Sequence, residues 1–153
     1  MIVRPSEIRV MSIIVPKTIQ KTSRAFYNSV EGDILYEMNH TEEAAKAYKE
    51  ALKEQPLLAG ALLGLGRCTL DQGKTKQAIS YMERAVRIRP RLTEAHYLLG
   101  KAYEKTDKEK SLRYYQYFRK QAAADPEFIG YLNDVKQKIS DLQVPADAHK
   151  AKE

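Results

Sequence analysis

An all-α solenoid of antiparallel helix pairs is predicted by three features of the sequence. Gly32, Gly66 and Gly100 stand 34 residues apart, and Pro56 with Pro90, Ala44 with Ala78, Ala51 with Ala85 and Leu65 with Leu99 recur at the same interval. Within each period two apolar stripes of helical spacing flank a short polar break. Prolines then close the periods, because the residue before a proline is pushed out of the α region. A fixed period of this size is the mark of stacked supersecondary units, which present a surface for binding rather than a pocket for chemistry.

Residues 1–24 match no repeat. Ile8, Val10, Ile13, Ile14 and Val15 form a β-leaning apolar segment closed by Pro16. With no partner strand elsewhere, a helix or an extended strap is expected there, either capping the first unit or docking on another chain. From Lys17 the positions Ile19, Ser23, Phe26 and Val30 continue a helical stripe, so the first helix of the array is expected to begin before the first unit.

The units run about 25–58, 59–92 and 93–126. In the first and second, Thr41 ahead of Glu43 and Thr75 ahead of Gln77 are expected N-caps of the second helices. In the second, the break Asp71-Gln72-Gly73-Lys74 places a glycine where a helix end calls for positive φ. So short a turn requires antiparallel packing. Small residues, Gly66 against Ala78 and Gly100 against Ser111, let the paired backbones approach. The third unit loses one residue in its turn, so that Ser111, Tyr115 and Phe118 stand at the places of Ala78, Met82 and Ala85. The large Phe118 at a small-residue place is expected to loosen that helix pair or to mark the end of the array. Phe128, Leu132, Val135, Ile139 and Leu142 then form one apolar stripe, the sign of a C-terminal helix (127–142) that covers the open flank of the last unit. Residues 143–153 have too little apolar content to order themselves and read as a frayed tail.

These units resemble the tetratricopeptide repeat family over about two-thirds of the chain. Leu65-Gly66, Ala78, Met82, Ala85 and Pro90 fall on the family pattern in the second unit, and Gly32, Ala44, Tyr48, Ala51 and Pro56 do so in the first, which departs from it at Asn28 and Glu31. The resemblance implies a right-handed superhelix whose first helices line a concave groove. Carried over, the groove positions are Phe26, Ser29, Asp33, Tyr36 and Glu37, then Gly60, Leu63, Arg67, Leu70 and Asp71, then Tyr97, Lys101, Glu104 and Lys105. A protein or peptide ligand, acidic or amphipathic, would use Tyr36, Leu63, Leu70 and Tyr97 as apolar contacts and pair with Arg67 and Lys101. A groove aromatic packed on its neighbour is the alternative. The resemblance also argues against one specialisation. The Lys, Asn and Arg clamp that grips the acidic tail of heat-shock chaperones is replaced here by Ser29, Asp33, Gly64, Glu94 and Leu98.

Charge is uneven along the 153 residues, whose net formal charge is +6. Residues 1–24 hold five basic and one acidic side chains, 25–58 three and seven, 59–92 seven and two, 93–126 seven and five, and 127–153 four and five. Two basic zones therefore surround an acidic first unit. Arg84, Arg87, Arg89 and Arg91 gather near a helix C-terminus, where cations complement the dipole. They are expected to form a solvated face, and nucleic acid is not an expected partner. Self-association through the ends of the array is the alternative to a peptide-binding adaptor, and a regulatory or targeting part of a larger protein is a third reading.

One cysteine, Cys68, excludes an internal disulfide and a cysteine-based zinc site, and is expected to be a buried packing residue. No apolar run reaches the ~18 residues of a membrane-spanning helix, and Val10–Val15 is too short for the core of a signal peptide. A cytoplasmic location is expected if Met1 is the natural start. His40, His96 and His149 are scattered, and HExxH, GxSxG and phosphate-binding glycine loops do not occur, so neither catalysis, metal nor cofactor is expected.

Overall fold

The computed structural model describes residues 17–143, and the expectations for residues 1–16 and 144–153 lie outside it. Seven α-helices follow one another among the described residues: α1 (Lys17–Glu37), α2 (Thr41–Glu54), α3 (Ala59–Asp71), α4 (Thr75–Ile88), α5 (Thr93–Tyr103), α6 (Lys108–Ala122) and, after a 3-10 turn (Pro126–Phe128), α7 (Ile129–Gln143). The pairs α1/α2, α3/α4 and α5/α6 stack in sequence, α1 also touches α3 and α3 touches α5, and α7 packs on α6. First helices thus lie beside first helices, which is the arrangement of an all-α superhelix. The early start expected for the first helix is present, since α1 already includes Lys17.

The turns inside the first two pairs are the same device. Asn39 (φ 62°) and Gly73 (φ 75°) take the left-handed conformation, and each is flanked by one pair of hydrogen bonds. His40 N donates to Leu35 O (2.9 Å) and Asn39 N to Tyr36 O (2.9 Å), while Lys74 N donates to Thr69 O (3.0 Å) and Gly73 N to Leu70 O (2.9 Å). These bonds satisfy carbonyls that the helix end leaves open. They also move the N-caps. His40 O and Lys74 O accept the first bonds of α2 and α4, from Ala44 N and Ala78 N. Thr41 and Thr75 are therefore first helical residues rather than the expected caps, and neither helix has a side-chain cap. Glu42 and Glu43 complement the dipole of α2 instead. In the shortened third turn Asp107 does cap, accepting from Lys110 N at 3.0 Å. At the far ends of α2 and α4, Gln55 and Arg89 are extended before Pro56 and Pro90, as the prolines require.

The glycines receive large side chains rather than small ones. A Cβ on Gly32 would lie 2.7 Å from the Tyr48 ring, one on Gly66 would lie 2.6 Å from Met82 Cγ, and one on Gly100 would lie 2.7 Å from the Tyr115 ring. Ala78 and Ser111 still sit where the helices approach: Ser111 Oγ donates to Gly100 O at 2.7 Å. The tightest place is Gly64 of α3, where any Cβ would overlap the Tyr48 ring. Tyr48 is fully buried between the glycines of two successive units.

Apolar side chains fill the three interfaces in turn. Ala44, Tyr48, Ala51, Ala61, Leu65 and Cys68 form the first cluster. Leu62, Leu63, Ala78, Met82, Ala95 and Leu99 are the centre of the second. Tyr115, Phe118, Ala122, Val135 and Ile139 form the third, between α6 and α7. Phe118 fills the gap to the last helix: it is fully buried, with ring centroids 5.4 Å from Tyr97 and 5.7 Å from Phe128. Cys68 is buried as expected, and burial pushes its thiol up to about 11.

Because the Tyr48 ring has backbone on both sides, it has no room to yield. Gly64→Ala is expected to lower stability by about 1–3 kcal/mol. Gly130→Ala, where a Cβ meets nothing within 4 Å, should be neutral or stabilising by up to about 1 kcal/mol. Urea unfolding of the two variants makes the comparison, and equal midpoints would refute the close-packing account.

Candidate functional site

The concave face carries a polar cluster that joins all three units. On α3, the Arg67 guanidinium bonds Glu94 Oε1 of α5 at 3.1 Å and Asp33 Oδ1 of α1 at 3.5 Å. It also lies 4.4 Å from the centroid of the Tyr36 ring. Tyr48 donates its hydroxyl to Asp33 Oδ1 (2.7 Å), and Tyr36 donates to Asp71 Oδ2 (2.7 Å). Burial by itself would pull the Arg67 pKa down, but Glu94 and the two tyrosines outweigh it and hold the guanidinium charged. Burial, and then the hydrogen bonds to Asp33 and Asp71, raise the pKa values of Tyr48 and Tyr36, so both phenols stay protonated donors. Arg67 Nε is buried without a partner.

Two adjoining hollows open on either side of Arg67. One, of about 560 Å³, is lined by Tyr36, Arg67, Leu70, Asp71, Thr75, Leu98, Lys101, Ala102, Glu104, Lys105 and Thr106. The other, of about 270 Å³, is lined by Glu37, Arg67, Glu94, Tyr97, Leu98, Phe118, Glu127, Phe128 and Tyr131. Glu104 on the wall accepts from Lys138 Nζ of α7 at 2.7 Å and from the Tyr115 hydroxyl. Burial pushes its pKa up, but these two bonds prevail and hold it below the usual carboxylate value.

Of the eight residues singled out in the sequence, the structure brings Tyr36, Arg67, Leu70 and Lys101 together in the larger hollow, and places Tyr97 with Arg67 in the smaller one. Asp33 joins them through Arg67 without lining either hollow. Leu63 is a correction: it is buried in the core cluster with Met82 and Leu99, whereas Leu70, two turns on along the same side of α3, packs on that cluster and still lines the larger hollow. Phe26 is another. It lies ten residues before Tyr36 on α1, about 15 Å along the helix, lines neither hollow and is 64% exposed. Arg67 differs in role from the expectation, since its charge is already met by Asp33 and Glu94. Tyr97 packs on its neighbours, with ring centroids 5.0 Å from Tyr131 and 5.4 Å from Phe118.

Sequence reasoning did not assign Leu98, Phe128 and Tyr131 to the groove. Leu98 lines both hollows and had a signal, as it occupies a family clamp place. Phe128 and Tyr131 follow the third unit and lie outside the repeat period. Among the described residues, no group of three His, Cys, Asp or Glu side chains could hold a metal, and no helix is long and apolar enough to cross a membrane.

Two measurements test these electrostatics. Arg67→Met leaves Asp33 and Glu94 unmatched and is expected to cost about 1–2 kcal/mol, with Glu94 half-exposed and partly screened. Arg67→Lys, which keeps the charge but not the planar fork or the stacking, should recover only part of it. Full recovery by Lys would contradict the stacked, two-armed geometry. The second concerns pH. His96 donates from Nε2 to Pro90 O (2.8 Å), and burial lowers its pKa below the ordinary 6.5. The unfolded chain thus takes up a proton that the folded chain refuses. Stability is full above pH 6.5 and falls as pH drops below it, by at most about 1.4 kcal/mol per pH unit. Glu104, whose pKa is lowered, adds a second loss below pH 4.5. In urea melts from pH 8 to 4, His96→Asn should flatten the first decline and keep the second.

A Tetratricopeptide repeat family model matches residues 30–92 and again 70–126. No curated protein matches the chain in sequence. Among solved structures, the chain is similar to the first tetratricopeptide repeat domain of Spaghetti (RPAP3) bound to the HSP90 peptide SRMEEVD, at 17% identity and TM-score 0.66, over 78% of this chain and 95% of that one. It is similar to the yeast Sti1 TPR2B domain in its Hsp70 complex, at 17% identity and TM-score 0.68, over 78% and 96%. It also resembles the Yersinia enterocolitica type III secretion chaperone SycD in complex with a peptide of the translocator YopD, at 15% identity and TM-score 0.70, over 84% and 95%. At such identities these likenesses establish the fold alone. With repeat matches that together span residues 30–126 and three stacked helix pairs that carry them, the chain belongs to the tetratricopeptide repeat family.

Proposed function

We propose that this chain is a non-catalytic protein–protein interaction module, an adaptor or assembly factor, that takes a peptide or helix of its partner into the concave groove. The observation that carries the reading is the larger hollow. Leu70, Leu98 and Ala102 give it apolar lining, and the exposed side chains of Lys101 and Lys105 line it as well. Apolar surface gives a ligand anchorage, and the cations select for acidic neighbours of the anchoring residue. An amphipathic segment with one or two large apolar side chains and flanking Asp or Glu fits this lining. Relatives of the same fold that hold peptides support the reading.

A chaperone tail is not the ligand this groove favours. At the clamp places, Gly64 has no room for a side chain beneath Tyr48, Glu94 is paired with Arg67, and Asp33 and Glu94 carry the wrong sign for an acidic tail. Nucleic acid is disfavoured as well, because Asp71, Glu104, Glu37 and Glu94 offset the groove cations.

The test is selection from a displayed library of random peptides against the purified chain, followed by fluorescence anisotropy with the selected sequences. Acidic amphipathic sequences are expected to emerge. Lys101→Glu together with Leu70→Ala should weaken them at least tenfold, with Lys46→Glu on an exposed face of α2 leaving binding unchanged. Selected peptides that respond to Lys46→Glu and ignore the groove pair would sink the proposal.

A further inference from the structure

The two ends of the array are finished differently. At the C-terminal end α7 lays Val135 and Ile139 on α6 and turns polar side chains outward. At the N-terminal end α1 buries only Ala25, Ser29 and Gly32 against its neighbours. Its other side carries Ile19, Phe26, Tyr27, Val30 and Ile34, and Met38 follows in the turn, each between 40% and 68% exposed. Ile19, Ser23, Phe26, Val30 and Ile34 follow steps of four, three, four and four residues, with Tyr27 beside Phe26, which is an apolar stripe along the helix interrupted at Ser23. The end helix of a solenoid needs a polar outer face to remain in water, and α1, the first helix among the described residues, is apolar over most of its outer face.

Charge on α1 indicates what covers it. The first half, 17–24, carries Lys17, Lys21 and Arg24 and no acid, while the second half, 31–37, carries Glu31, Asp33 and Glu37 and no base. A second α1 laid antiparallel on the stripe sets each basic half beside the partner's acidic half, whereas a parallel one sets like charges together. Arg24 and Glu31 lie seven residues apart on one edge of the stripe. In an antiparallel pair such an edge faces itself, so the two can meet each other twice across a two-fold axis. Helix spacing then seats Phe26 against Val30 on either side of the axis and Ile19 against Met38 at the ends. Arg24 holds Glu54 of its own chain only loosely, at 3.5 Å with the guanidinium side chain 65% exposed, and is free to turn. A face that complements its own copy in both shape and charge is the requirement for a two-fold dimer.

We propose that the outer face of α1 is a homodimer interface in which two copies of this chain pair antiparallel through Phe26, Val30 and Ile34, with Arg24 meeting Glu31 at the edge. Phe26, Val30 and Ile34 line neither of the two groove hollows.

Sedimentation equilibrium of the full chain from about 1 to 200 μM is the primary test, with the range chosen because one helix pair is small beside the ~800 Å² per partner of a standard interface. A monomer–dimer equilibrium is expected, and Phe26→Glu with Val30→Glu should abolish it while leaving helicity intact, since both residues are exposed. Arg24→Glu or Glu31→Arg alone should weaken the dimer at least threefold, and the double exchange should restore it. For orientation, Tyr27→Cys, near the axis, should form a disulfide-linked dimer on oxidation, and Ile19→Cys, facing Met38, should not. A monomeric full chain across the range would overturn the proposal, even if a chain lacking residues 1–16 dimerised. So would a dimer indifferent to the Phe26 and Val30 changes, or efficient linkage through residue 19.

Discussion

The burial of Tyr48 between Gly32 and Gly64 is the constraint on which the rest of the stack depends. One aromatic ring fills the space between two first helices, and it does so only because both backbones there lack a side chain. The depth of its insertion fixes how closely α1 approaches α3. Its hydroxyl emerges on the concave side at Asp33, which in turn meets Arg67. A packing contact and a groove contact are thus made by opposite ends of the same residue. The next interface solves the same problem otherwise. Met82 stands where Tyr48 stood, and the position equivalent to Gly64 is Leu98, whose side chain packs beside that core and reaches the groove. The smaller, adaptable Met leaves room for Leu98, so a change in the core decides what the groove offers.

Arg67 sets the electrical character of the concave face. Its charge is met by one carboxylate from the unit before and one from the unit after, and its flat group covers Tyr36. Such an arginine serves chiefly to register three units against one another. The cations left to face solvent in the larger hollow are Lys101 and Lys105, on the side toward the third unit. Positive potential in the groove is therefore displaced from its centre toward that side, beside apolar lining.

The two ends of the array show the same physics with opposite outcomes. A helix pair cannot bury both its flanks, so the last one needs a cover. At the C-terminus the chain supplies one: Phe118, large where the earlier units have Ala51 and Ala85, projects into α7 and gathers Phe128, Val135 and Ile139 around it. At the N-terminus the described chain ends its stack on α1, whose outward residues are as apolar as those of α7 that face inward.

How much of this was legible in the sequence follows from which interactions repeat. The 34-residue period determined the helix pairs and the proline stops, and the break around Gly73 its positive φ, because each of these is a local backbone requirement, whereas the lining of the concave face by first helices came from the family resemblance. The stripe from Phe128 to Leu142 likewise determined a covering helix, since amphipathic spacing is a property of one helix alone. Tertiary structure decided the rest. That Leu63 is closed off in the core while Leu70, two turns on along the same side of α3, keeps surface on the larger hollow depends on what the neighbouring helices lay over each of them, which spacing on α3 does not encode. That Arg67 is already paired depends on carboxylates 34 residues before and 27 after it in the chain. The N-caps passed from Thr41 and Thr75 to His40 and Lys74 because the turn's hydrogen bonds, and not the preference of a side chain, set where each helix starts. Periodicity reports what each unit does by itself, and only the stacked structure fixes which side chains neighbouring units consume in holding each other and which they leave for a partner.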